Sequence, residues 1–82
     1  MPAPYQVVPR FYIERITIAA LCNETMNLHW QDDQTGMNYM ATVWPLEIIE
    51  QNMAEYLLAR NQDGEILHIR LDLIRNFPTP VK

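Results

Sequence analysis

Residues 54–77 read AEYLLARNQDGEILHIRLDLIRNF, and their pattern leaves little choice of backbone. Leu67, Ile69, Leu71 and Leu73 share one parity, while His68, Arg70 and Asp72 share the other. A strand sends successive side chains to opposite faces, so the leucine parity predicts a core face and the charged parity faces water or an ion pair. Asp63-Gly64 separates this run from an earlier apolar one, and Asp-Gly between two such runs is a strong local signal for a hairpin. The first arm, 56–59, is apolar on both parities, which fits a strand covered on both sides or a central one. Arg70 and Asp72 lie two apart on one strand face, so the simplest expectation is cross-strand pairing with Glu55 or Arg60.

A second alternating pair precedes it. Met26, Leu28 and Trp30 alternate with Asn27, His29 and Gln31, giving a strand over 24–31. DDQTG at 32–36 is a polar turn ending in glycine. The returning strand covers 37–44, and Pro45 is expected to end it because proline cannot donate to a ladder. The following LEIIEQNM, 46–53, reads as a short helical turn or a strand-linking loop.

One stretch has helical spacing. In 10–23, Ile13, Ile16 and Ala20 recur at the interval of a helix face, with Tyr12 and Ala19 beside them and Glu14 and Arg15 toward the other side. Pro9 is acceptable at a helix start, and Asn23 is a plausible stop. Ahead of the helix, Pro2, Pro4 and Pro9 predict an extended lead-in over 1–9, anchored by Tyr5, Val7 and Val8. Residues 78–82 read as a tail.

Eighty-two residues make one domain, and the 49% apolar content supports one compact core. Short antiparallel strands with close turns predict a mainly β domain whose bent sheet, over 24–77, curls into a small barrel with the helix capping one end, a shape that removes exposed edges. No run reaches the ~20 apolar residues that span a membrane, and MPAPYQVVPR lacks the basic start and apolar core of a signal peptide. A single cysteine, Cys22, rules out an intrachain disulfide and reads as a small buried hydrophobe in a reduced, cytoplasmic protein.

Chemistry-bearing residues are sparse. His29 and His68 both fall on the polar parity of their strands and read as surface residues; a metal would need further ligands. The chain has no serine, and Cys22 near the negative end of a helix is a poor nucleophile. Gly36 and Gly64 stand alone in turns, so no phosphate-cradling loop exists, and Asp32-Asp33 reads as a solvated turn. These points argue against an enzyme and against a cofactor. The net charge is −4 and six Lys and Arg are scattered, whereas nucleic-acid binders carry basic clusters. Trp30, Tyr39, Trp44 and Tyr56 would suit base stacking, but no basic residue lies between Arg15 and Arg60, so core packing accounts for them better. Glu14, Glu47, Glu50 and Asp32-Asp33 are individually ordinary surface acids; together they would form a docking face for a basic protein.

Several short motifs resemble the Rho-binding antiterminator (Rof) family, small bacterial modulators of Rho-dependent transcription termination. Glu55-Tyr56-Leu57, Gly64, Arg70-Leu71-Asp72, Ile74 and Phe77 match the family's hairpin; Tyr5-Gln6-Val7-Val8 sits at its opening, Ile16 to Ala20 at its helix, and Met26 to Val43 at its first hairpin. Val7 and Arg10 stand where the family has Pro and Cys, and Phe11, Tyr12 and Ile13 replace most of its acidic run, leaving Glu14. The resemblance covers 5–77 and implies an Sm-like barrel with an N-terminal helix. It also implies a cytoplasmic protein-binding regulator that contacts the termination factor Rho through the helix region and obstructs its RNA-loading site. On that reading the partner-binding residues are Glu14, Tyr12, Arg10, Glu47 and Glu50. Two alternatives share the fold: an Sm-like RNA binder, and a self-associating module that uses Phe11-Tyr12-Ile13 as its apolar face.

Overall fold

A computed structural model of the chain describes residues 4–76. Phe77 and the tail at 78–82 lie outside the described residues, as do residues 1–3 of the lead-in. Helix α1, Arg10–Leu21, comes first. Four strands follow: β1 Met26–Gln31, β2 Asn38–Gln51, β3 Ala54–Arg60 and β4 Ile66–Arg70. They form one antiparallel sheet in chain order, β1-β2-β3-β4, and a single 3₁₀ turn, Leu71–Leu73, follows β4. The fold is mainly β with one N-terminal helix, and the sheet curls into a half-barrel.

The helix lies against β2 and buries Ile16 and Ala19, with Tyr12 and Ile13 packed beside them. These four positions lie on one face at helical spacing, and their burial offsets the low helix propensity of the β-branched residues. The helix stops two residues earlier than its spacing indicates. Asn23 turns left-handed at φ 56°, and the Glu24 amide donates to the Ala19 carbonyl while the Asn23 amide donates to Ala20. This pair of bonds satisfies the last carbonyls and closes the helix. Cys22 is left at the cap and is exposed, not buried. The helix ends at Leu21, so Cys22 sits at its cap, outside the face that Ile16 and Ala19 bury.

The sheet keeps the leucine parity inside. Ile16, Leu28, Val43, Leu57, Ile69 and Leu71 are the largest fully buried side chains, and burying one such side chain is worth about 1.5–3 kcal/mol. β3 lies between β2 and β4, which explains why its first arm is apolar on both parities.

Pro45 does not end its strand. β2 runs on for fourteen residues and takes in most of 46–53, which was expected to be a helical turn or a loop. Pro45 pairs with Ala59 and Glu47 pairs with Leu58, so Leu46 is an extra residue bulged out of the ladder. A bulge is the one interior location where a strand tolerates a residue with no N–H. β2 then turns into β3 through Asn52 and Met53, both with positive φ. This is the backbone of a two-residue hairpin whose twist matches that of the strands it joins.

The curl is sealed at the far side. Trp30 of β1 bridges antiparallel to Ile74, and the Arg75 amide donates to the His29 carbonyl at 2.7 Å. The Asn76 side chain accepts from the His29 amide at 2.9 Å and donates to the Asn27 carbonyl at 2.8 Å. A side-chain amide thereby satisfies backbone groups of β1 that a further strand would otherwise meet.

Candidate functional site

Residues from three separate stretches of the chain, Tyr5 and Gln6, Glu55, and Arg70 with Asp72, meet at one place. Arg70 and Asp72 form a two-pronged ion pair, Nε to Oδ1 at 2.7 Å and Nη2 to Oδ2 at 2.8 Å. They pair with each other, not across the strands with Glu55 or Arg60. The reason is local: the backbone leaves the strand at Leu71 for the 3₁₀ turn, which swings Asp72 back toward the residue two before it. The Gln6 amide donates to Asp72 Oδ2 at 3.0 Å. The Tyr5 hydroxyl donates to Glu55 at 3.0 Å, and its ring lies 5.7 Å from the Arg70 guanidinium.

This network is electrostatically tight. Burial pushes the Asp72 carboxyl up, but the Arg70 hydrogen bonds and the Gln6 amide outweigh it and hold the group below the usual carboxylate range. The Asp72 hydrogen bonds likewise keep Arg70 firmly protonated. Burial raises the Tyr5 phenol well above its ordinary value, and the bond to the Glu55 carboxylate adds to the shift.

The network fixes the lead-in, and the lead-in forms one wall of a cleft. That cleft, of about 770 Å³, lies between Val7 and Val8 on one side and Arg10, Ile13, Glu14, Thr17 and Ile18 of α1 on the other, with Glu55 reaching in from β3. Its lining combines apolar side chains with two acids, Glu14 and Glu55, and one base, Arg10. Val7 is 87% exposed, so of the expected anchors only Tyr5 and Val8 hold the lead-in to the core.

The five partner-binding residues named from the sequence do not converge. Arg10 and Glu14 line the cleft and face each other at 3.8 Å on the exposed side of α1. Tyr12 is half-buried against the core and packs edge-on to Phe11 at 5.0 Å. Glu50 sits opposite Glu55 across β2 and β3, which adds a third acid near the cleft. Glu47 is separated from it. Three residues apart, Glu47 and Glu50 would share a helix face, but in a strand an odd spacing puts them on opposite faces. Glu55, identified from the sequence only as a motif letter and a possible ion-pair partner, is the acid that joins the cleft to the buried network.

The aromatic residues divide. Trp30 is buried and stacks on Tyr39, with ring centroids 5.8 Å apart, but Tyr39 is itself exposed, and Trp44 and Tyr56 are half-buried. Core packing accounts for Trp30 alone. His29 and His68 are exposed. The Phe11-Tyr12-Ile13 cluster is half-buried, and the more open apolar residues of this end are Val7, Ile18 and Leu21. Among the described residues, no group of three or more His, Cys, Asp or Glu is placed to hold a metal, and no helix is long and apolar enough to cross a membrane.

No protein-family model, no curated protein and no solved structure matches the chain.

Proposed function

We propose that this chain is a protein-binding regulator that recognises a basic partner through the cleft beside α1, and that the partner is the termination factor Rho, whose RNA-loading site it obstructs. The observation that carries the reading is a single cleft lined by both Glu14 and Glu55 together with the apolar Val8, Ile13 and Ile18. Two acids against one arginine, Arg10 at 3.8 Å from Glu14, leave the surround of this apolar patch net negative; that suits a basic protein surface, since opposite charge speeds encounter and apolar contact holds the complex. The name of the partner rests on the motif resemblance alone.

A direct RNA-binding role has less support. Of the five described arginines, four are engaged within the chain: Arg10 by Glu14, Arg60 over the Trp44 ring, Arg70 by Asp72 and Arg75 by Gln31. Phosphate contacts supply most of the affinity of nucleic-acid binders, and they need arginines free to make them.

The test is capture of purified Rho on the tagged chain, repeated with excess C-rich RNA. Capture that the RNA competes away, and that Glu14→Lys abolishes, supports the reading. Capture unaffected by either removes the acidic cleft from the interface. Self-association through Val7, Ile18 and Leu21 is the competing use of this face, and light scattering on a sizing column separates it: a strict monomer rules it out.

A further inference from the structure

A second hollow, of about 590 Å³, shares no lining residue with the cleft beside α1. It lies between the turn at 32–36, the β2–β3 turn at Asn52 and the outer part of β4. The rings of Trp30, Tyr39 and Tyr56 line it, together with the His68 imidazole and the carboxylates of Asp32 and Asp33. Its lining includes no lysine and no arginine.

The two acids have different standing. Asp32 is occupied by its own turn: one oxygen accepts from the Gln34 amide, the Thr35 amide and the Thr35 hydroxyl. These bonds, that from the Thr35 amide first, hold it below the usual carboxylate range, so it contributes a fixed negative charge. Among the described residues, Asp33 accepts a single hydrogen bond, from the Tyr56 hydroxyl at 2.8 Å. A carboxylate has about four lone-pair positions, so Asp33 retains most of its accepting capacity. Aromatic faces are electron-rich and attract cations placed over them. Rings, a carboxylate with spare acceptors, a second fixed charge and a lining without lysine or arginine, with the nearby Arg70 already held by Asp72, together suit a cation.

We propose that this hollow receives an arginine side chain presented by a partner protein. A guanidinium is favoured over an ammonium because it is planar, stacks on rings and offers N–H groups in a fork that a carboxylate matches. A side chain of a polypeptide is favoured over a free small cation because Tyr39 and Ile66, at the margin, are 42% and 50% exposed. The stem of the arginine and its neighbours in the partner would cover that apolar surface; a small cation would leave it wet. The proposal does not depend on which protein binds the cleft beside α1.

The experiment is a titration of the isotope-labelled full chain, followed by NMR, with a capped Leu-Gly-Arg-Gly-Leu peptide and with the same peptide carrying citrulline, the uncharged analogue, in place of arginine. The arginine peptide is expected to shift the Trp30 indole and the amides of Asp33, Tyr56 and Ile66, and to bind about tenfold tighter than the citrulline peptide. Asp33→Asn retains an acceptor for the Tyr56 hydroxyl and is expected to weaken the arginine peptide by about tenfold with an unchanged melting temperature. Tyr39→Leu keeps the apolar cover, removes a ring, and is expected to weaken it by about threefold. Equal binding of the two peptides overturns the proposal, as do shifts confined to α1 and the lead-in. Methylguanidinium alone binding as tightly as the peptide also overturns it, because the occupant is then a small cation.

Discussion

Asp72 holds Arg70 from two residues away in sequence, through two hydrogen bonds of 2.7 and 2.8 Å, with both side chains only 5% exposed. Because Asp72 also receives the Gln6 amide, the pair is both a buried electrostatic unit and the fixing point of the N-terminal lead-in. Removing either partner leaves a desolvated charge behind. Asp72→Ala is therefore expected to destabilise the fold by about 3–5 kcal/mol, whereas the double change Arg70→Met with Asp72→Leu recovers much of that loss. Urea unfolding of the three variants measures both effects.

The same pair predicts a pH dependence. The folded Asp72 carboxyl titrates below its unfolded value. Its contribution is thus fully present above the ordinary carboxylate range, around pH 4, and is lost as pH falls through the depressed folded value. Urea midpoints collected from about pH 6 downward are expected to drop more steeply for the wild-type chain than for Asp72→Asn.

Tyr5 acts at the opposite end of the pH scale. Its phenol is raised, first by burial and then by Glu55, so its contribution is present below the ordinary tyrosine value of about 10 and is lost as pH rises through the folded one. Tyr5→Phe keeps the ring over Arg70 but loses the bond to Glu55. The expected cost is about 1 kcal/mol near neutrality, with a flatter alkaline limb. Thermal melts across alkaline pH read this out.

At the β2–β3 turn, Met53 has φ 63° and is 90% exposed. A side chain there meets nothing that compensates for the left-handed backbone, which costs about 1–2 kcal/mol for an ordinary residue. Met53→Gly is expected to stabilise the protein by about 0.5–1 kcal/mol once the added freedom of the unfolded chain is subtracted. A rise in the urea midpoint with an unchanged slope confirms it.

Leu46 tests the bulge. Leu46→Ser is expected to cost no more than about 1 kcal/mol, since the side chain is 46% exposed. Deleting Leu46 sets Pro45 and Glu47 side by side opposite the adjacent Ala59 and Leu58, which keeps the register but removes the bulge and its bend from the strand that has to follow the curl. Loss of the near-ultraviolet circular dichroism signal in the deletion, with retention in the serine variant, is the expected pair of results.

Much of the fold was legible because periodicity is local. The alternation of 67–73 and the helical spacing of Ile13, Ile16 and Ala20, with Tyr12 and Ala19 beside them, depend only on which side of a strand or helix faces the core, although it is Ala19 rather than Ala20 that is fully buried. What escaped depends on contacts between distant residues or on exceptions to a rule. Pro45 reads as a strand end unless the bulge beside it is foreseen, and a bulge leaves no mark in composition. Asn52-Met53 lacks the glycine that announces a tight hairpin, although Asp63-Gly64 had one. Arg70 and Asp72 looked like members of one strand face, and only the 3₁₀ turn at Leu71 brings them together. The cleft was half visible: Glu14 came from the helix pattern and Arg10 from the resemblance, but Glu55 reaches them only through the curl of the sheet.

The kink at Pro45 and Leu46 also bears on how the chain behaves when crowded. Residues 39–49 include long apolar and β-branched runs, the kind of segment that stacks into fibrils when it is straight and finds a copy of itself. A proline with no N–H and an inserted residue break the straightness in the middle of that segment. The device that lets one strand serve both sides of a small barrel therefore also keeps its sequence from acting as a template for aggregation.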